Sequence, residues 1–282
     1  MNMLRPDTLM SSDAPATVPQ RARGAVDVAV HLRDGGTHLT RLRQSGCMKC
    51  ILPQVFRSDA EAVLINTSGG VTGGDAIEVA VNASAGTQLS ITTQAAERIY
   101  RTHDGTTGRV ANRATVGAGA RLNWLPQETI LFDRARLERS LEIDIAADAQ
   151  LLLCETLVFG RAAMGEQVQD LYLEDRITVT RENAPLYRDG IRLIGNARDM
   201  MARAAIGGGF GVVATLVYVA PDAAAKCAPL RTLLPTSAGV SLRDKDVLVL
   251  RALAKESLSL RRFMIPVLEL LSGQSLPGVW RL

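Results

Sequence analysis

The sequence is short of the residues that most catalytic and metal centres use. It holds three histidines and four cysteines in 282 residues. None of the histidines has a nucleophile and an acid at a spacing that would make a catalytic set. His31 and His38 flank RDGG and read as surface residues of a hairpin, and His103 sits in the polar turn RTHDG. No G-x-S-x-G elbow occurs, so nucleophilic hydrolysis has little support. Aromatics are only 4% of the chain, which leaves Val, Ile, Leu and Ala to build the core. No run approaches the ~18 apolar residues of a membrane-spanning helix. The net charge is +3 with basic residues dispersed. A nucleic-acid binder would concentrate them in a stripe, often with aromatics for stacking.

The cysteines exclude more than they offer. Cys47 and Cys50 form a Cys-x-x-Cys, but no second pair or histidine pair follows at zinc-ligand spacing. Their segment, QSGCMKCILP, reads as a strand, where i and i+3 point to opposite faces. The first residues, MNMLRPDTLMSSDAPATVPQRARG, lack the apolar stretch of a secretory signal. Residues 1–23 are expected to form a mobile tail, and the chain is expected to be cytoplasmic, where structural disulfides are rare.

What is present is strand. Hydrophobic residues are 47% and charged residues 22%, enough for a large core. Val26, Val28, Val30 and Leu32 alternate, as do Ile77, Val79 and Val81, then Leu141, Ile143 and Ile145, then Leu151 and Leu153. A weak repeat runs through VNASAGTQLSI, ATVGAGARLNW, DIAADAQLLLC and VTRENAPLYRD. Its leucines, Leu89, Leu122, Leu151 and Leu186, are 33, 29 and 35 residues apart by subtraction. The pattern predicts stacked strand–turn–strand units: a mainly β, layered, elongated domain over residues 24–282. Helices are expected at NARDMMARAA, AAAKCAPLRTLLP and ESLSLRRFMIPVLELLSG, the last kinked or split by Pro266 and stopped by Gly273.

Two groups of residues carry candidate chemistry. NTSGGVTGGD is glycine-rich, but a P-loop needs Gly-Lys-Ser/Thr opening a helix, and here a strand, DAIEVAV, follows. Its glycines read as devices of a sharp strand-to-strand connection. The second group is carboxylates beside apolar segments: Glu128 and Asp133 in LPQETILFDRARLERS, Glu155 and Glu166 in LLLCETLVFGRAAMGE. Such side chains mostly face water or pair with arginine, and Arg134, Arg136, Arg139 and Arg161 are available. They could also line a polar interior path with the hydroxyls of Thr92 and Thr93, binding a divalent cation weakly enough to let it move on.

These segments, in this order, resemble the urease accessory protein UreD (UreH) family. The matching residues are Ser68, Gly69, Gly70, Gly73, Gly74 and Asp75 of SGG-x-x-GGD; Leu89–Ala95; Pro126 and Gln127 of LPQ-x-TILF-x-x-A; and Gly160, Arg161, Gly165 and Glu166 of FGR-x-x-x-GE. QSGCMKCILP and the closing SLRRFMIPVLELLSGQSLPGVWRL also fit. The sequence departs from the pattern at Arg134, which weakens the match at Asp133, and at Cys47 and Cys50, onto which no metal role is carried. The resemblance implies a strand-rich, non-catalytic maturation protein. It would bind apo-urease and UreF, which recruits the GTPase UreG, with UreE supplying nickel indirectly. Nickel would reach the urease centre through an internal passage, so the ion is transient cargo and no cofactor is tightly bound. Against this stand a general β-rich adaptor without a metal role and a carboxylate-dependent hydrolase.

Overall fold

The computed structural model describes residues 20–54, 58–161 and 164–281. Most of the expected tail, residues 1–19, therefore lies outside the described residues. Ala22 already belongs to the fold: its backbone N–H donates to Asp75 Oδ1 at 2.7 Å.

The alternating segments fold into two face-to-face sheets. The first contains β1 (Arg23–Arg33), β2 (Gly36–Gly46), β5 (Ala76–Ala83), β8 (Gly108–Val116), β11 (Arg136–Ile145), β13 (Leu171–Arg181) and β14 (Ala184–Gly195), in the order β14-β13-β11-β8-β5-β1-β2. The second contains β3 (Met48–Ile51), β4 (Ala60–Asn66), β6 (Gln88–Thr93), β9 (Arg121–Trp124), β12 (Gln150–Phe159), β15 (Val212–Val219), β16 (Ala238–Asp244) and β17 (Val247–Ala254), in the order β16-β17-β15-β12-β9-β6-β4-β3. Short strands β7 (Glu97–Ile99) and β10 (Thr129–Leu131) join this sheet beside β12.

The centre of each sheet is parallel and its flanks are antiparallel. Three of the chain's crossings from first sheet to second, at β5–β6, β8–β9 and β11–β12, stack each on the one before. Leu89, Leu122 and Leu151 sit side by side in register. Their turns also stack: Gly117 N–H donates to Ala83 O at 2.8 Å, and Ala146 N–H to Val116 O at 2.9 Å. The repeat in the sequence is thus a physical stack for its first three copies. The fourth differs. Glu182 and Asn183 both have positive φ, 51° and 62°. Two such residues close a tight primed hairpin, so β14 returns along β13 within the first sheet, and Leu186 does not join the leucine stack.

The main core fills the space between the sheets, and a second one lies on the outer face of the second sheet. Helices α2 (Ala223–Leu233) and α3 (Ser257–Ser272) cover that region, while α1 (Ala197–Ala202) packs against β14 and adds Ala197 and Met201 to the main core. Strands β12 and β15 are buried on both faces, Leu151, Leu153, Val217 and Val219 on one, Leu152, Cys154, Leu216 and Tyr218 on the other. That double burial explains their near-continuous apolar sequences. The α3 helix runs unbroken through Pro266, against the expected split, and ends on Gly273 at φ 69°. Its apolar face, Leu260, Met264, Val267, Leu268 and Leu271, is buried. At roughly 1.5–3 kcal/mol per buried large aliphatic side chain, that packing outweighs the one backbone hydrogen bond Pro266 forfeits.

Candidate functional site

The interior between the sheets is apolar at one end and polar at the other. At the stacked turns it is lined by residues such as Ala83, Val116, Ile145, Leu89, Leu122 and Leu151. Farther along the same strands, inward positions carry charge. In β11 the inward series is Leu137, Arg139, Leu141; in β13 it is Leu173, Asp175, Ile177; in β12 it is Leu153, Glu155, Leu157. Arg139 and Asp175 are register neighbours on adjacent strands. Glu155 faces them from the other sheet.

These three form a buried charge cluster. Arg139 Nε donates to Asp175 Oδ1 at 2.8 Å, and Nη2 to Oδ2 at 2.6 Å. Arg139 Nη1 lies 2.8 Å from Glu155 Oε2 and donates to Thr129 Oγ1 at 2.9 Å. Trp124 Nε1 donates to Glu155 Oε1 at 2.8 Å. All three charged side chains are at least nine-tenths buried. Burial works against the Arg139 charge, but the two carboxylates more than offset it, so the guanidinium stays protonated. Burial pushes the Glu155 carboxyl above its ordinary value, against the pull of Arg139.

A cavity of about 70 Å³ adjoins this cluster, with Glu155, Arg139, Thr129, Asn112, Gln127 and Glu97 among its walls. On one side it shares Thr93, Glu97, Met48 and Leu64 with a surface cleft of about 220 Å³. Glu97 accepts hydrogen bonds from Asn66 Nδ2 at 3.2 Å on both oxygens. Burial raises its carboxyl above the ordinary value, against the hydrogen bond from Asn66. On the other side, Arg139 and Glu155 also wall a small space of about 10 Å³ with Asp175, Asp189 and Thr215. Ile191 and Val213 of that space in turn edge an open, largely apolar groove of about 730 Å³ between β14, the segment after α1, and β16–β17. Cleft, cavity, narrow space and groove therefore follow one another across the molecule, with Arg139 at the tightest point.

The residues singled out from sequence divide between this interior and the surface. Thr93, Pro126, Gln127 and Glu155 line the cavity. Strand alternation turns Thr92 to the opposite face of β6, fully buried, with no hydrogen-bond partner for its Oγ1. Glu128 is held by Arg261 of α3, with Nε donating at 2.8 Å and Nη2 at 3.1 Å. Gln127 Oε1 accepts from the same guanidinium. Asp133 and Glu166 lie in surface connections. Asp133 Oδ1 accepts from the N–H groups of Gln169 and Asp170 at 2.7 and 3.0 Å. Glu166 accepts from Arg161 Nε at 2.8 Å. Although burial opposes it, Arg161 and nearby backbone N–H groups hold the Glu166 carboxyl below its usual range. Each of the three glutamates thus meets an arginine, and no two share a cleft.

The glycine motif is a connection between the sheets, from β4 to β5. Asp75 ties it down by accepting from Ala22 N and Thr72 N. A Cβ at Gly73 would lie 2.3 Å from Thr106 O, and one at Gly70 2.6 Å from Arg98 O. Ser68 Oγ donates to Gly70 O at 2.8 Å. Gly69, Gly74, Gly160 and Gly165 all hold positive φ. Arg161 lies over Phe132, 4.4 Å from the ring centroid, and Phe132 packs edge-on against Tyr100, whose hydroxyl donates to Gly69 O. The separate sequence motifs therefore converge on one side of the fold.

Sequence reasoning missed Glu97, Asn112, Asp175 and Asp189, and gave Arg139 no more than a place among available partners. The signal was there for three of them. Asn112, Arg139 and Asp175 each interrupt an apolar alternation on its inward side, where an exposed residue has no reason to stand. The cysteines carry nothing comparable: all four are free, and burial pushes the Cys50 thiol up to about 11. Among the described residues, no group of three or more His, Cys, Asp or Glu side chains could hold a metal ion. None of their helices is long and apolar enough to cross a membrane.

A family model described as the UreD urease accessory protein matches residues 22–281. The urease accessory protein UreD of Ruegeria pomeroyi is 48% identical over 242 residues, covering 86% of this chain and 94% of its own. Those of Roseobacter denitrificans and Rhizobium leguminosarum bv. viciae are 44% and 42% identical, each over 97% of this chain and their full length. On that similarity, extending over almost the whole of both sheets and all three helices, the chain belongs to the UreD family of urease accessory proteins.

Proposed function

We propose that this chain matures urease by holding apo-urease together with UreF and the GTPase UreG, and by giving nickel a route between its two sheets during GTP-dependent insertion. UreE acts upstream by loading UreG. What carries the reading of a route is the run of spaces from the Glu97 cleft to the Asp189 side. Buried oxygen groups line it, and an ordinary strand sandwich would fill that volume with aliphatic side chains. Sparse oxygen ligands suit an ion that must pass, since nickel binds more firmly to imidazole and thiolate. A hydrolase is disfavoured because every candidate glutamate is matched to an arginine and none faces an open cleft with a nucleophile.

The test is the nickel content of urease purified from cells. Without this chain, urease is expected to be made but nickel-poor and inactive; normal nickel content would overturn the maturation role. Thr93→Trp, at the mouth of the cavity, is expected to leave the complex with UreF, UreG and apo-urease intact in a pull-down while lowering nickel delivery. Full delivery by that variant would remove the route and leave the holding function alone.

A further inference from the structure

We propose that Arg139 is the gate of this passage: its guanidinium occupies the position between Glu155 and Asp175 that a passing divalent cation takes, and the ion advances by exchanging with it. The inference rests on the passage reading above and specifies how that passage stays shut.

The position argues for it first. Arg139 and Glu155 are the residues that wall both the 70 Å³ cavity and the 10 Å³ space beyond it. An ion moving from one to the other passes these two side chains. Charge is the second argument. With Glu97 on the wall of the same cavity, three ionised carboxylates and one guanidinium leave two negative charges in excess, in surroundings where unbalanced charge is costly. A divalent ion between Glu155 and Asp175 removes that excess, with the displaced guanidinium left to balance Glu97. A monovalent ion leaves one negative charge unbalanced. The exchange therefore favors a 2+ ion over sodium or potassium by charge alone.

The third argument is room. Arg139 Nη1 already bonds Thr129 Oγ1, which lines the cavity along with Asn112 and Gln127. The freed guanidinium can swing toward these groups without moving the backbone. Glu155 stays in place meanwhile, because Trp124 Nε1 fixes its other oxygen. A carboxylate held by a group other than the departing arginine is what the entering ion needs.

The proposal has a direct consequence. Removing the arginine charge turns a gate into a resting place. Full-length wild type, Arg139→Gln and Arg139→Gln/Glu155→Gln are dialysed against nickel chloride at about 10 µM free ion, a level suited to weak oxygen-ligand sites, and bound metal is measured. Arg139→Gln is expected to retain about one nickel per chain, on the order of tenfold more than wild type, and the double variant to lose it again. If Arg139→Gln does not fold, Arg139→Lys is used. Its shorter ammonium cannot span both carboxylates, so it is expected to retain more nickel than wild type. A folded Arg139→Gln or Arg139→Lys that retains no more nickel than wild type overturns the gate. Failure of the passage itself looks different: Thr93→Trp then delivers nickel to urease normally, whatever Arg139 variants retain.

Discussion

The two ends of the inter-sheet space are built from the same strands and solve opposite problems. At the stacked turns the inward residues are aliphatic but for Thr87, whose hydroxyl is spent on Ser84 O, and each crossing copies the last. The leucines of β6, β9 and β12 lie in register, and their turns bond to one another. A few residues along, the same strands place Arg139, Glu155 and Asp175 inside, with a cavity beside them. Repetition explains the first end and cannot explain the second. A stack needs only volume and period, and a buried ion cluster adds little net stability over aliphatics of equal size. The polar end is therefore where the fold departs from what stability alone would select.

The largest expected effects test the contrast at each end. Leu122→Asp puts an unpaired charge in the middle of the leucine stack. It is expected to destabilise by more than about 5 kcal/mol and to yield no folded protein, judged by expression and circular dichroism. Arg139→Ala, at the polar end, leaves two buried carboxylates sharing no cation and is expected to cost about 3–5 kcal/mol in urea unfolding. The informative case is the combination Arg139→Met/Glu155→Gln/Asp175→Leu. Its stability is expected to return to the wild-type value or exceed it, since the cluster is replaced rather than broken. Urease from cells carrying it is expected to lack nickel. A triple variant that is stable and still delivers nickel would mean that the polar end is structural after all.

The contrast also explains what the sequence could reveal. The stack was legible because its period is written in small turn residues followed by leucine. It failed only at Leu186, where the positive φ of Glu182 and Asn183 makes a hairpin that residue type alone does not announce. Of the kink or split expected at Pro266 the split does not occur, because the packing of Leu260, Met264 and Val267, which the local penalty does not show, holds the helix together. The site was harder. Glu155 drew notice as a carboxylate in an apolar run, but the charged groups it meets, Arg139 and Asp175, lie on β11 and β13, in the facing sheet. Asp175 becomes conspicuous only when the inward parity of β13 is known. Glu97 sits on a three-residue strand too short to show any parity.

A smaller effect is expected where the second core meets the site's rim. Arg261 of α3 reaches across to Glu128 and Gln127 and lies 5.3 Å from the Trp280 ring centroid. Arg261→Ala removes the partner of a buried carboxylate and is expected to cost about 2 kcal/mol. Because Glu128 stands outside the cavity walls, Glu128→Gln, which leaves Arg261 on Gln127, is expected to leave nickel retention by an Arg139→Gln background unchanged. A loss of retention would move Glu128 into the route.

The smallest effect concerns Glu97, at the open side of the cavity. Burial raises its carboxyl above the value it has in the unfolded chain. Between those two values the folded protein binds the proton more tightly than the unfolded one. Stability contributed by this group therefore grows as pH falls through the folded value and is lost as pH rises through it, so at neutral pH an ionised Glu97 is a cost. Glu97→Gln removes the cost and can keep hydrogen bonding with Asn66. It is expected to raise the melting temperature at pH 7, on the order of 1–2 °C for a chain of this size, and to flatten the mildly acidic limb of the stability profile. The same substitution is expected to slow nickel delivery, because it takes a charge from the mouth of the route. A variant that gains stability while delivering nickel at the wild-type rate would place the ion's entrance elsewhere. One that loses both would make Glu97 a structural anchor for Asn66 and the glycine-rich connection.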